Sequence, residues 1–196
     1  MKKLYLATLS LAILTTSASA FAEPVKGGSG QINFTGIINN DACSVDGSTG
    51  KDKVIAIDMG NVSIKDMGTE TTPSAGRLGA SDFNLKVNCN AGTKVSMVFK
   101  PNLNGGSGLV AGKKVLKLQG PDSAKGVGIA ILDGDGALID LTSDTTAMIS
   151  TGLSGDQVAG GDGTLSFAAA YVTTADPKTA VPGSGNATLP FVLQYE

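Results

Sequence analysis

Gly30-Gln31-Ile32-Asn33-Phe34-Thr35-Gly36-Ile37-Ile38 repeats with a period of two, placing Gly30, Ile32, Phe34, Gly36 and Ile38 on one face and Gln31, Asn33 and Thr35 on the other. Successive side chains of a β-strand point to opposite faces, so this alternation predicts a half-buried strand. Residues 187–195 form a counterpart, with Ala187, Leu189, Phe191, Leu193 and Tyr195 on one face and Thr188 and Gln194 opposite. The first stretch follows a polar, Gly-rich leader at residues 23–29, and the second ends one residue before Glu196. The expectation is that the two strands belong together in an assembled state, but across two different molecules.

The segment ahead of the leader reads as an export signal. A basic Met1-Lys2-Lys3, a short apolar run over residues 4–14 and a small-residue ending at Ala20-Phe21-Ala22 have the three parts of a secretory signal peptide. The apolar run is too short to span a membrane. Cleavage after Ala22 leaves 174 of the 196 residues, and cleavage after Ala20 is the alternative. Either length suffices for one domain with a core. The organisation is therefore a signal peptide at 1–22, an N-terminal extension at 23–40 and one domain at 41–196.

Composition removes several function classes. The formal net charge is −2, or −4 without Lys2 and Lys3, and Arg77 is the one arginine, so the basic footprint of a nucleic-acid binder is missing. With no His, the chain lacks the usual acid–base group at neutral pH and the commonest metal ligand. Charged residues make up 16% while Gly numbers 27, a strand-and-turn composition with little catalytic equipment. Cys43 and Cys89 are an isolated pair in an exported chain, which predicts a disulfide. A metal site or a reactive thiol would need partners the sequence does not supply. No cofactor is expected.

Further strands are expected at residues 54–60, at 83–89 with Phe83, Leu85, Val87 and Cys89 inward, and at 94–100 with Val95, Met97 and Phe99 on one face. Cys89 would then face the core and meet Cys43 from a neighbouring strand or a packed sheet. Residues 108–111 and 115–118 flank a Gly-Lys-Lys turn and suggest a hairpin. A second hairpin runs from Val127, Ile129 and Ile131 through Asp133-Gly134-Asp135-Gly136 to residues 137–141. Residues 69–79 read as a loop and 147–163 as mostly loop, and Leu165, Phe167, Ala169 and Tyr171 alternate inward on a late strand. No segment of ten or more residues has a convincing 3.6 period. Many short strands with frequent turn signals predict an all-β sandwich.

Such a sandwich covers its edges with its own strands, yet here the first strand sits behind a flexible leader and nothing is expected to return beside the last. At these residues the chain resembles the pilin subunits of the chaperone–usher fimbriae of Gram-negative bacteria, close to type 1-like shaft subunits. The resemblance is carried in order by the N-terminal arm with Gly36, Ala42-Cys43-Ser44-Val45-Asp46, and Phe83…Leu85…Val87-Asn88-Cys89. It continues through Gly128-Ile129-Ala130-Ile131-Leu132-Asp133…Gly136, Phe167…Tyr171, Gly183 fourteenth from the end, and the penultimate Tyr195. Pro190 departs mildly, because a proline removes one ladder donor from an edge that would have to pair.

The resemblance implies an incomplete immunoglobulin-like β-sandwich lacking its seventh strand and completed by donor-strand exchange. A periplasmic pilus chaperone would supply the strand first. The arm of the next subunit, through Gly30, Ile32, Phe34, Gly36 and Ile38, would then replace it, a form of strand addition. The receiving strand would carry Gly183, Ala187, Leu189, Phe191, Leu193 and Tyr195. Head-to-tail contacts of this kind do not close and so generate a filament. Expected partners are other copies of the chain, neighbouring fimbrial subunits, the chaperone and an outer-membrane usher, with no nucleic acid and no membrane span. The expected location is the surface fimbrium, reached through the periplasm, and the expected service is cell adhesion through the fibre.

Rival readings have less support. Asp133-Gly134-Asp135-Gly136 resembles the start of a calcium loop, but no Glu follows at the required distance and the flanking strands fit a hairpin. An enzyme would need a base, a nucleophile and a pocket. An adhesive tip subunit in this family resembles a lectin domain fused ahead of a pilin domain, for which there is no room here. A minor or adaptor subunit is the nearer alternative to a shaft subunit.

Overall fold

The computed structural model describes residues 31, 43–45, 54–74 and 77–196, the side chains of 77–83 excepted. Apart from Gln31, these residues fall within one compact unit, Ile38–Glu196. The expected arm at 30–38 therefore lies outside the described residues except for Gln31, as does the signal segment at 1–22.

Among the described residues, eight strands build two sheets. They are β1 (Cys43–Val45), β2 (Arg77–Cys89), β3 (Lys94–Phe99), β4 (Leu116–Lys117), β5 (Val127–Leu132), β6 (Met148–Gly152), β7 (Gly161–Thr173) and β8 (Phe191–Tyr195). The larger sheet has the order β1-β2-β7-β5-β4 and the smaller β6-β3-β8, with every strand pair antiparallel. The fold is the all-β sandwich expected from the strand pattern, and it is immunoglobulin-like, as the family resemblance implies. Among the described residues there is one 3-10 turn, Ile64–Asp66, and no helix long and apolar enough to cross a membrane.

The core follows from alternation. Leu85, Val87 and Cys89 of β2 and Leu165, Phe167 and Ala169 of β7 meet Val95, Met97 and Phe99 of β3, all buried. Phe99 and Phe167 contact edge-to-face across the sheets, with centroids 5.6 Å apart, the arrangement that ring quadrupoles favour. The disulfide joins Cys43 to Cys89, which stand directly opposite in the β1–β2 register, so the neighbouring-strand alternative holds. It ties the three-residue edge strand β1 to the thirteen-residue β2.

A second, smaller cluster lies on the outer face of the larger sheet. Ala168, Ala170 and Val172 of β7, with Ala130 and Leu132 of β5, are covered by Val115, and Val110 and Leu138 pack beside them. Both expected hairpins fold back to provide this cover, through the Leu109–Leu116 and Leu132–Leu138 bridges. In the second hairpin Gly136 takes the positive φ of 85°. Asp133 Oδ1 accepts hydrogen bonds from the Asp135 and Ala137 amides, so the acidic pair shapes a turn.

Three expectations are corrected. Residues 54–60 form no strand. Their apolar side chains stand on both faces, and among the described residues no strand edge pairs with them. Residues 69–79 are not wholly loop, since β2 begins at Arg77 and pairs with β7 at Ala170 and Ala169 before an irregularity between Leu78 and Phe83. Residues 147–163 contain β6, whose Ile149 is buried, as is Ala147 just before it. The glycines that follow obscured this short alternation.

Lys114 joins the first hairpin to Asp140, Nζ to Oδ2 at 2.7 Å, while Glu70 accepts from the Lys114 amide at 3.0 Å. The Lys114 ammonium, followed by the hydroxyl and amide of Thr142, holds the Asp140 carboxyl down at about 2 from an ordinary 3.8. A lowered folded-state pKa adds stability above the ordinary value, which is lost as pH falls towards the folded one.

Two measurements check these features. Replacing both cysteines by alanine should lower unfolding stability in urea by up to about 4 kcal/mol on the chain-entropy account; a loss below about 1 kcal/mol would show that the bond constrains little. Asp140→Asn should be less stable than the parent at pH 5, with the gap closing between about pH 4 and pH 2. A gap that persists at pH 2 would show that the Asp140 charge is not its source.

Candidate functional site: the open edge of β8

Among the described residues, strand β8 pairs with β3 alone, on one side. Glu196 exchanges hydrogen bonds with Lys94, and Pro190, Thr188 and Asn186 offer their carbonyls to the amides of Lys100, Ser107 and Gln119 at 2.7–2.9 Å. Even-numbered residues from 186 to 196 thus direct their backbone groups inward. In an antiparallel pair a residue's N–H and C=O point the same way and alternate sides along the strand. The backbones of Ala187, Leu189, Phe191, Leu193 and Tyr195 therefore face outward, where no group among the described residues pairs with them.

This register corrects the expectation about Pro190. Its carbonyl bonds Lys100, so the position at which it lacks a donor faces β3. The outward ladder is uninterrupted from Ala187 to Tyr195. A proline is tolerated here because the lost donor falls just before the start of β8.

The same odd-numbered side chains sit at the margin of the core. Ala187, Leu189, Phe191 and Leu193 are half-buried and packed against the main cluster, while Tyr195 is exposed. Ile55, Met59, Val62 and Ile64 of the unpaired segment are in the same condition. Gly60, Asn61 and Val62 share a small cavity with Tyr171, Gly183 and Gly185, so the segment runs close to the stretch that leads into β8. Among the described residues, both segments thus carry half-buried apolar side chains packed against the main core.

Gly183 does not belong to the outward ladder. Ser184 accepts from the Ala124 amide and donates to the Asp122 carbonyl, and a Cβ on Gly183 would stand 2.5 Å from that carbonyl oxygen. Glycine is needed there for close approach. A Cβ on Gly185 would meet the Tyr171 hydroxyl at 2.4 Å, the group that donates to the Gly185 carbonyl. Burial, and then the nearby Asp58 carboxylate, push the Tyr171 phenol up, which keeps it protonated as a donor.

Of the expected receiving residues, the structure thus aligns Ala187, Leu189, Phe191, Leu193 and Tyr195 along one edge and sets Gly183 apart. The sequence reading missed the role of Ile55, Met59, Val62 and Ile64. The signal for it was present in Val54-Ile55-Ala56-Ile57, an apolar run with no polar face.

The family model described as "Fimbrial protein" matches residues 32–196. The chain is 32% identical to the type-1 fimbrial protein A chain of Escherichia coli K12, over 100% of this chain and 98% of the relative. It is 30% identical to long polar fimbria protein A of Salmonella typhimurium with the same coverage. Among solved structures, a tip adhesin of Pseudomonas aeruginosa matches with a TM-score of 0.50 and 21% identity, over 69% of this chain and about a third (34%) of that one, which speaks for the fold alone. With a family model over most of its length and relatives at 30% identity or more along nearly the whole chain, the chain belongs to the fimbrial protein family, as a structural pilin of the chaperone–usher type and not an enzyme.

Proposed function

We propose that this chain is a shaft subunit that polymerises head-to-tail by donor-strand exchange, with Gly30, Ile32, Phe34, Gly36 and Ile38 of one copy lying along the open edge of β8 in the next. The observation that carries this reading is the outward ladder of five odd-numbered residues, 187 to 195, above half-buried apolar side chains. The arm offers five inward positions over the same nine-residue length. Ile32, Phe34 and Ile38 each contribute about 1.5–3 kcal/mol on full burial, and backbone pairing sets the register. Gly36, without a side chain, suits the shallowest part of the groove.

Before assembly a periplasmic chaperone covers the same edge, and an outer-membrane usher passes the subunit to the growing fibre. The edge supports the need for a covering chaperone, since an exposed ladder is a template for unwanted pairing; the usher follows from the family resemblance alone. The export signal at 1–22 delivers the chain to the periplasm, and the fibre serves adhesion at the cell surface. The fimbrial relatives support neighbour-to-neighbour association and a surface location.

Deleting residues 23–38 should abolish incorporation into fibres while leaving the remaining domain able to bind the chaperone. Normal fibre growth from this variant would overturn the donor role. Phe34→Asp should reduce fibre yield at least about tenfold, from the lost burial alone. Electron microscopy of purified fibres with mass spectrometry separates shaft from minor subunit: the chain should be the dominant component, and its confinement to fibre ends would give it the minor or tip role.

A further inference from the structure

The strand topology also says which ends of two subunits meet. Phe99, Met148, Thr173, Val127 and Phe191 lie at one pole of the sandwich, and Cys43, Cys89, Lys94, Gly152, Gly161 and Tyr195 at the other. Loops 100–107 and 174–181 belong to the first pole, and the 153–160 loop to the second. Every pair in both sheets is antiparallel, so a strand added beside β8 in keeping with the fold runs from the Tyr195 pole to the Phe191 pole. An arm in that direction leaves the groove at the first pole with Ile38. Only residues 39–42 then separate it from Cys43, a reach of at most about 17 Å. Cys43 sits at the second pole of its own domain. The second pole of the subunit giving the arm must face the first pole of the subunit receiving it.

Both surfaces present aliphatic side chains on fixed backbone. Val158 is 85% exposed at the tip of the 153–160 loop. Asp156 Oδ1 accepts from the amides of Val158 and Ala159, and the Asp156 carbonyl accepts from Gly160. At the opposite pole Val181 is 51% and Leu103 50% exposed. Val181 exchanges two backbone bonds with Lys125, and Leu103 donates to the Lys100 carbonyl and accepts from Gly106. With the backbone already held, docking has only side-chain rotamers left to order, and the β-branched valines have few.

We propose that consecutive subunits make a second contact beside the exchanged strand: Val158 of the subunit that gives its arm packs on the loops of the receiving subunit that carry Leu103 and Val181. The proposal rests on the donor-arm reading above, which fixes the partner as a second copy and sets the facing poles. The contact limits the swing of each domain about the four-residue tether, so it governs fibre stiffness and dissociation and leaves strand insertion to the arm.

The test uses fibres assembled from the full-length chain. Val158→Asp should still enter fibres, and the unassembled subunit should melt as the parent does, since the site is exposed. Its fibres should release subunits about tenfold faster at a fixed guanidinium concentration, from the loss of one aliphatic contact. Adding Val181→Lys or Leu103→Lys to Val158→Asp should restore the parental rate through charge pairing and identify the seat of the contact. An unchanged release rate for Val158→Asp, or a faster one restored by neither lysine, would overturn the contact while leaving the donor arm standing. Loss of the donor-arm reading itself would appear separately, as normal fibre growth after deletion of residues 23–38.

Discussion

A β-strand with one neighbour has half of its backbone groups committed and half uncommitted, and in β8 the division follows residue parity. The even-numbered groups are spent inward on Lys94, Lys100, Ser107 and Gln119. The odd-numbered ones face outward beside Leu189, Phe191 and Leu193, which are themselves half-covered. Polar groups and apolar surface are thus left incomplete along the same line, and one added strand satisfies both. Backbone pairing alone would give a weakly specified edge, and apolar exposure alone would give a sticky patch. Together they require a strand of alternating character at one register.

The rest of the molecule holds that edge in place. Strand β3, against which β8 lies, is buried from Val95 to Phe99 and meets the larger sheet through the Phe99–Phe167 contact. Strand β7 is buried on both faces, by the main core on one and by the hairpin cluster on the other. The disulfide anchors the three-residue edge strand β1 to β2, and β1 and β8 thus belong to the same packed core.

Much of this was legible in the sequence where one face is buried and the other wet. Val95, Met97 and Phe99, and Leu85, Val87 and Cys89, showed their faces by alternation, and the Asp-Gly turn marked its hairpin. Legibility failed where both faces are covered or neither is. The inward alternation of Leu165, Phe167, Ala169 and Tyr171 was legible, but it gave no sign that a second cluster covers Ala168, Ala170 and Val172 on the other face. Residues 54–60 carry apolar side chains on both faces and find no strand to pair with among the described residues. Ile149 of β6 and Ala147 just before it, both buried, stand next to a run of glycines that reads as loop. The direction of the backbone groups at Pro190 was also beyond reach, because it depends on which neighbour each residue faces and not on residue type.

The hairpin cluster has a consequence for how the surface can change. Val110, Val115 and Leu138 make the stems of the two hairpins part of a hydrophobic layer, while tip residues such as Gly112 and Asp135 stay in solvent. Folding requirements end within a few residues of the exposed tips. What the outer side of the subunit presents to its surroundings, in charge and shape, can therefore be rewritten at those tips without disturbing the joints between subunits.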